Sequence, residues 1–279
     1  MRENTKVLIE EAHRVLASHH PMTLRQVFYR LVAAQVIENR QNRYKSLSRT
    51  LVRARQEGMI PWEWIEDRLR IPREVGMWGD LAAFGRAVIK GYRRDVWANQ
   101  ADYIEVWLEK DALSGIFERA LRPYGVTLNV GRGYDSWSSI CSASQRYETE
   151  RAEGGADTTI LYFGDFDPSG EDMVRSLEER LGFFGCWPTI FKIAITAEDI
   201  ERYDLPPNPA KLSDSRADNF IALHGNNCVE LDALPPDVLS AMIEQEVDGL
   251  MDLDALAETR KQEKEDIGQL RTFFEGRVG

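Results

Sequence analysis

The feature that most constrains the fold of this chain is an alternation of strand-like and helix-like segments between residues 102 and 196. Parallel strands need a crossover connection, usually a helix, so this alternation predicts an α/β fold with a mainly parallel sheet. The predicted strands are YIEVWLE, VTLNVG, TTILYFGDFD and WPTIFKIAIT, and the predicted helices are ALSGIFERALRPY, SSICSASQRYETER and GEDMVRSLEERL.

Two carboxylates close the third predicted strand, in the segment GDFDPSG at residues 164–170. Asp165 and Asp167 are two residues apart, and side chains that far apart on a strand point to the same side. In open parallel sheets the working site lies at the carboxyl ends of the strands. Because Mg²⁺ binds carboxylate, water and phosphate oxygens, this pair predicts a magnesium site. The alternative is a solvated turn or a helix cap.

Two further groups are expected at the same edge of the sheet. Glu109 follows the first predicted strand and is a candidate metal ligand or general acid/base. Arg132 follows the second, in a Gly-Arg-Gly segment that suits a phosphate contact. Each alone is equally typical of a surface carboxylate or a plain turn, but their order in one module favours a shared site.

The N-terminal part of the chain is organised differently. Helices are predicted over 3–19, 24–37 and 44–57, followed by a short extended segment over 59–71. Three helices followed by a short β-like piece are typical of a winged-helix (CAP-like) domain. Residues 75–100 contain several glycines and are predicted to be an irregular linker, and residues 204–230 are predicted to be rich in loops. We therefore predict a winged-helix DNA-binding domain over 1–95 and an α/β domain with a C-terminal helical extension over 96–279.

Charge divides along the same boundary. The net charge is −11, but residues 1–100 hold 18 Lys and Arg against 11 Asp and Glu, a balance of +7. Residues 101–279 hold 17 against 35, a balance of −18. Phosphate binding needs local positive charge, so six cations with no acidic residue among them predict a DNA-backbone contact, with a solvated basic helix as the alternative. They are Arg40, Arg43, Lys45, Arg49, Arg53 and Arg55.

The acidic motifs resemble a known domain. Residues 102–200 are similar to the Toprim domain of topoisomerases, bacterial primases and several nucleases. Glu109 stands at the family's strand-end glutamate, and Asp165 and Asp167 stand at its acidic pair. The resemblance implies that these three carboxylates hold Mg²⁺ and that Glu109 assists proton transfer at the leaving 3′ oxygen.

A second motif narrows the resemblance. The segment TLRQVFYRL resembles that of the topoisomerase VI A subunit and its meiotic double-strand-break relatives, in which an arginine precedes two adjacent aromatic residues. The second aromatic is the catalytic tyrosine, so Tyr29 takes the nucleophile's place and Arg25 the arginine's. Phe28 stands where tyrosine is common. The resemblance implies a homodimer in which Tyr29 of one protomer works with the acidic site of the other.

Length and composition add to this resemblance. The chain is shorter than a full A subunit and resembles the minimal type called topoisomerase mini-A. It shows no phosphate-binding P-loop, so a separate ATPase or other partner subunit is expected. A polar N-terminus and the lack of an apolar run near ~18 residues predict neither a signal peptide nor a membrane span. Three cysteines without a CxxC pair favour a reducing cytoplasm.

The expected function is magnesium-dependent DNA cleavage by transesterification at Tyr29. Two alternatives stay open: a hydrolytic Toprim nuclease, in which Tyr29 only packs in the core, and a DNA-binding subunit that is inactive without a partner. The segment VELDALPP resembles a stretch late in the A-subunit Toprim region, and its Glu230 and Asp232 are expected to be structural or peripheral.

Overall fold

A computed structural model describes residues 3–65, 75–131, 136–209, 214 and 216–275. Within them the helices are α1 Glu3–His19, α2 Leu24–Ala33, α3 Gln41–Gln56, α4 Leu81–Gly91, α5 Ser114–Leu121, α6 Trp137–Gly154, α7 Pro168–Phe183, α8 Ala197–Arg202, α9 Ala217–His224, α10 Pro236–Leu250 and α11 Leu253–Glu275. The strands are β1 Asp102–Leu108, β2 Thr127–Val130, β3 Asp157–Phe163 and β4 Thr189–Ala194. None of the described helices is long and apolar enough to cross a membrane.

The four strands form one parallel sheet in the order β2-β1-β3-β4. This confirms the α/β class and the parallel sheet that the alternating segments predict. Strands β1 and β3 lie side by side in the centre, and Leu108 is paired with Phe163 at their carboxyl ends. The residues that follow these two strands therefore leave the sheet at neighbouring positions on one edge.

Helices cover both faces of the sheet, as the side-chain alternation of buried strands requires. Val106 and Leu108 belong to the core on the side of α5 and α10. Tyr103 and Trp107 point to the other side, where α6 and α7 pack. Both central strands are buried on both faces, which explains their near-continuous apolar sequences.

The N-terminal helices join the core on the side of α5 and α10. Helix α2 begins at a capping box, in which Thr23 and Gln26 exchange hydrogen bonds between side chain and backbone. Val27 and Leu31 of this helix are fully buried among α1 and α3. The same helix also packs on a 3₁₀ turn at Leu231–Ala233. This contact brings α2 to the carboxyl edge of the sheet.

Several predicted boundaries are wrong. Helix α2 ends at Ala33 rather than at residue 37, because the chain turns at Gln35, which has a φ of +56°. Residues 62–64 form a 3₁₀ turn instead of an extended segment, and Ile65 makes a single parallel bridge with Met22. The rest of the predicted extended segment, residues 66–71, lies outside the described residues.

Two predicted irregular stretches contain helices. Helix α4 lies within the predicted linker and packs against α11, where a side chain at Gly85 would collide with the ring of Phe274. Helix α9 lies in the stretch of 204–230 expected to be loop, and its Phe220 packs edge-on against Phe166. In both cases the contact that stabilises the helix is distant in sequence and leaves no local periodic signal.

Truncation in the sheet core tests this packing. Leu161 of β3 is fully buried, so we expect Leu161→Ala to lower the free energy of unfolding by about 2–5 kcal/mol through reduced burial and a cavity. Val130 at the end of the edge strand β2 is 38% exposed, and Val130→Ala should cost under about 1 kcal/mol. Urea denaturation measures both; equal decreases would contradict the described core.

Candidate active site

The predicted acidic residues meet where β1 and β3 end. The backbone N–H of Glu109 donates to the carbonyl oxygen of Phe163 at 2.9 Å, which continues the pairing of the two strands by one residue. The Glu109 carboxylate in turn accepts a 2.9 Å hydrogen bond from the backbone N–H of Asp165. Glu109 and Asp165 are thus placed side by side by the sheet itself.

Asp167 lies immediately before helix α7 and is its N-cap residue. Its side chain caps α7 by accepting a 2.7 Å hydrogen bond from the backbone N–H of Gly170. Glycine is needed at two places in this turn. A Cβ on Gly170 would collide with the carbonyl oxygen of Asp165, and one on Gly164 would lie 2.7 Å from the Glu109 carboxylate. The glycines of the GDFDPSG segment therefore allow the acidic turn to close tightly.

Lys110 lies at the centre of the acidic side chains. Its ammonium is 2.9 Å from Asp165 Oδ1, 2.8 Å from Glu230 Oε2 and 2.7 Å from Asp232 Oδ2. Asp165 also accepts a 2.8 Å hydrogen bond from the backbone N–H of Leu231. The lysine and this hydrogen bond fasten the 230–232 segment to the edge of the sheet.

Burial and neighbouring charges have opposite effects on the pKa values of Lys110 and Asp165. Burial alone would lower the pKa of Lys110, but Asp232, Asp165 and Glu230 outweigh it and raise that pKa. Burial raises the pKa of Asp165 to about 7, with the Glu109 carboxylate adding to the rise and Lys110 opposing it. Lys110 therefore stays charged, while burial brings the pKa of Asp165 close to neutral pH.

Helix α2 brings Arg25 and Tyr29 to the same group. The Arg25 guanidinium forms an ion pair with Glu230 and lies 3.6 Å from Asp232 Oδ2. One turn later on the helix, Tyr29 is only 4% exposed, and its phenol lies beside Asn208 and Glu230, both of which affect its pKa. The i, i+4 spacing of Arg25 and Tyr29 places both on the face of α2 that meets Glu230.

The Tyr29 phenol is not ionised at neutral pH. Burial raises its pKa to about 12, and the neighbouring Glu230 carboxylate contributes to the rise. Arg25 and Lys110 act in the opposite direction, because their positive charges favour a phenolate. A substrate that neutralised or displaced Glu230 would leave burial as the remaining cause that raises this pKa.

One open cleft of about 960 Å³, the acidic cleft, lies between α2, the start of α3 and the edge of the sheet, and most of these groups line it. Its lining residues are Arg25, Phe28, Tyr29, Asn39, Arg40, Gln41, Tyr44, Lys110, Asp165, Asp167, Pro168, Ser169, Asn208, Pro209, Asp214, Cys228, Val229 and Glu230. The tyrosine and the acidic pair, 136 residues apart from Tyr29 to Asp165, thus face the same space within one chain.

The donor chemistry of the three predicted ligands suits Mg²⁺, which prefers oxygen. Repulsion from Asp167 contributes to the raised pKa of Glu109, for which burial is the larger cause. Asp232 Oδ1 is buried without a hydrogen-bond partner among the described residues. A divalent cation would reduce the repulsion between Glu109 and Asp167, and it could bind an unsatisfied carboxylate oxygen. Among the described side chains, however, no group of three or more His, Cys, Asp or Glu is arranged to hold a metal ion.

The predicted DNA-contact residues take several positions. Arg40 lines the acidic cleft, and Arg53 pairs with Glu57 on the exposed side of α3. Arg55 is committed to the fold, since it donates to the carbonyl oxygens of Trp62 and Ile65. The others on α3 are exposed: Arg43, Lys45 and Arg49. Arg132 lies outside the described residues.

Three residues of this site are missed by sequence reasoning. Lys110 stands beside Glu109 without a signal of its own, and Glu230 and Asp232 are expected to be structural or peripheral, although both contact the Lys110 ammonium at the centre of the site. The available signal is the VELDALPP segment itself, whose two carboxylates are two residues apart like the Asp165 pair. No family model, curated protein or solved structure matches this chain in the comparisons.

The raised pKa of Asp165 predicts a pH-dependent stability. Its pKa is about 7 in the folded protein against 3.8 ordinarily, so between these values the folded state binds more protons than the unfolded state. The free energy of unfolding should therefore fall as the pH rises from about 4 to about 7. Asp165→Asn removes this titration, and the wild type should lose stability relative to the variant over that range.

Urea denaturation of both proteins at several pH values measures this difference. Asp218→Asn, at an exposed position of α9, is a control that removes a carboxylate outside the Lys110 group. Parallel pH curves for wild type and Asp165→Asn would contradict the described environment of Asp165.

Proposed function

We propose that this chain is a winged-helix plus Toprim protein related to topoisomerase VI A subunits, and that it cleaves DNA by magnesium-dependent transesterification at Tyr29. We further propose that it works as a homodimer without an ATPase of its own, in the cytoplasm. The observation that carries the proposal is the acidic cleft, where the Tyr29 phenol lies with Arg25, Lys110 and the carboxylates that follow β3. A nucleophile, two cations and acidic oxygens are the groups that phosphodiester transfer needs.

The bonds and protons of the reaction balance without a further reagent. The Tyr29 oxygen attacks the phosphorus of a DNA phosphodiester, and its proton passes to Glu230, whose carboxylate lies beside the phenol. The bond from phosphorus to the 3′ oxygen breaks, and Glu109 supplies a proton to that oxygen. The raised pKa of Glu109, caused first by burial, makes it the better proton donor of the two glutamates. The products are a 5′-phosphotyrosyl end and a 3′-hydroxyl end.

Two cations adapt the cleft to this step. Arg25 and Lys110 both lower the cost of a Tyr29 phenolate, against the opposing effect of burial. Their ion pairs with Glu230 also hold them at the wall where a phosphate would lie. We infer that an entering phosphodiester competes with Glu230 for these cations, which frees the glutamate to accept the tyrosine proton.

Glu109, Asp165 and Asp167 are the residues that would hold Mg²⁺. When bound there, the ion supplies positive charge against the phosphate oxygens. Asp167 Oδ1 already caps α7, and the Glu109 carboxylate already accepts the N–H of Asp165. Asp167 and Glu109 each have a second carboxylate oxygen, so metal binding is compatible with the described hydrogen bonds.

One observation favours the hydrolytic alternative. Tyr29 is buried, and burial raises the pKa of its phenol to about 12, which disfavours attack by the phenolate. In a hydrolytic nuclease, water attacks the phosphodiester and Tyr29 only completes the wall of the cleft. The two mechanisms differ in their products, because hydrolysis leaves free 5′-phosphate ends.

Covalent capture tests the tyrosine mechanism. Incubation with supercoiled DNA and Mg²⁺, followed by denaturation, should give protein attached to 5′ ends. Tyr29→Phe should abolish both cleavage and attachment, since it removes only the attacking oxygen. Tyr44→Phe is the matched control, because Tyr44 lines the same cleft on α3, and this variant should retain both.

The remaining outcomes are informative. Cleavage by Tyr29→Phe that leaves free 5′ ends and is abolished in Asp165→Asn would establish hydrolysis and exclude the tyrosine mechanism. Binding without cleavage in every variant, restored by an added partner subunit, would identify a DNA-binding subunit.

Mixing two inactive variants tests whether the site is shared between protomers. The resemblance implies pairing across a dimer, yet Tyr29 and Asp165 also line one cleft of a single chain. If the site forms across the dimer, mixed Tyr29→Phe and Asp165→Asn chains should regain cleavage, because one of the two sites in each heterodimer is then intact. If the site forms within one chain, the mixture should stay inactive. Co-expression of differently tagged chains and purification of the heterodimer provide the measurement.

A further inference from the structure

A second cavity, the basic recess, lies between the end of α4, the turn after α5 and helix α11. It has a volume of about 430 Å³ and shares no lining residue with the acidic cleft. Its lining residues are Lys90, Gly91, Arg93, Arg94, Asp95, Val96, Trp97, Arg122, Gly125 and Arg260. Five of these ten carry a positive charge and one carries a negative charge.

Two of the five cations are fixed by carboxylates of α11. Arg94 Nη1 lies 2.7 Å from Asp266, and Arg260 Nη1 lies 2.9 Å from Glu263. Glu263 also accepts a 2.8 Å hydrogen bond from the backbone N–H of Arg94. These contacts hold the chain at residue 94 against α11 and give the recess a fixed wall.

The other three cations have no ion pair among the described residues. They are Lys90, Arg93 and Arg122. Asp95, the carboxylate in the lining, accepts a hydrogen bond from the backbone N–H of Trp97. Counting the five cations against Asp95, Glu263 and Asp266 leaves a formal surplus of two positive charges.

The floor of the recess is ordered by backbone contacts. Trp97 Nε1 donates to the carbonyl oxygen of Gly125 at 3.0 Å, and Arg260 Nη2 donates to that of Pro123 at 2.6 Å. Gly125 has a φ of +66°, and a Cβ there would lie 3.0 Å from Val96. The turn that carries Arg122 is therefore held in place beside the segment that carries Lys90 and Arg93.

We propose that the basic recess binds a phosphate group, presented either by a DNA backbone or by a free phosphate ester. A concave surface with a surplus of positive charge attracts anions, and guanidinium groups match phosphate oxygens in geometry. The site goes beyond the proposed cleavage, because none of its residues lies in the acidic cleft. If the ligand is DNA, the recess gives the chain a second backbone contact away from the cut.

The test neutralises two cations that take no part in the fixed wall. The full-length double variant Lys90→Gln/Arg122→Gln leaves the pairs of Arg94 and Arg260 intact. Its matched control, Arg151→Gln/Arg202→Gln, removes the same charge at exposed positions on α6 and α8, outside the recess. Binding of a short DNA duplex is followed by fluorescence anisotropy over a salt series without divalent cations, so that cleavage has no part in the result. Inorganic phosphate is titrated separately by calorimetry.

If the recess variant binds the duplex more weakly and the control variant does not, the phosphate belongs to DNA. The slope of log K against log salt should then be shallower by about 0.9 for each phosphate that the variant no longer neutralises. If the recess variant binds the duplex normally but has lost the calorimetric signal for inorganic phosphate, the ligand is a free phosphate ester. If the recess variant matches the control in both measurements, the proposal is overturned. Failure of DNA cleavage in the Tyr29 and Asp165 experiments would leave this result unaffected.

Discussion

The arrangement of the acidic cleft depends on the ammonium of Lys110. It lies within 2.9 Å of carboxylates from two parts of the chain, Asp165 after β3 and the Glu230–Asp232 pair. Arg25 of α2 joins Glu230 and Asp232 as a second cation. A buried carboxylate is tolerated only with a partner, and removing one member of such a group typically costs about 3–5 kcal/mol. The position of α2, and with it of Tyr29, follows from satisfying this group.

This dependence explains which parts of the site could be predicted from the sequence. Glu109, Asp165 and Asp167 follow strands, so the parallel sheet alone brings Glu109 and Asp165 together, and the resemblance adds their metal role as a prediction that stays open. Glu230 follows no strand: the preceding Val229 bridges to Phe166 through two backbone hydrogen bonds, and Glu230 binds a lysine 120 residues earlier. Asp232 binds the same lysine. Charge pairing across such a separation has no local pattern, and two carboxylates in a loop look like any solvated pair. Lys110 gives no signal for the same reason, since its partners are distant.

The fold shows the same distinction. Strands β1 and β3 were predictable because burial on both faces leaves continuous apolar runs, and α1 because its apolar residues repeat with the helical period. Helix α4 was not, because Gly85, which weakens a helix signal, is present there to admit the ring of Phe274. Helix α9 has eight residues, too few for periodicity to distinguish it from loop, and is held by contacts between Phe220 and Phe166. The sequence predicts the helices and strands that have a regular apolar pattern of their own. It does not predict the helices that are stabilised by a contact distant in sequence.

The charges around the acidic cleft bear on how it would admit a phosphodiester. The charged residues that line the cleft, with Glu109 and Asp232 beside them, are three cations and six carboxylates, which leaves a formal charge of −3. A phosphate entering this environment is repelled unless the charge changes. Protonation of Asp165 removes part of it near neutral pH, since burial raises the pKa of that carboxyl to about 7. A divalent cation bound by these carboxylates would remove more of the negative charge, and it would leave Lys110 and Arg25 freer to face the phosphate. If the chain cleaves DNA as proposed, the excess of carboxylates over cations is the physical reason that the reaction would need a metal ion.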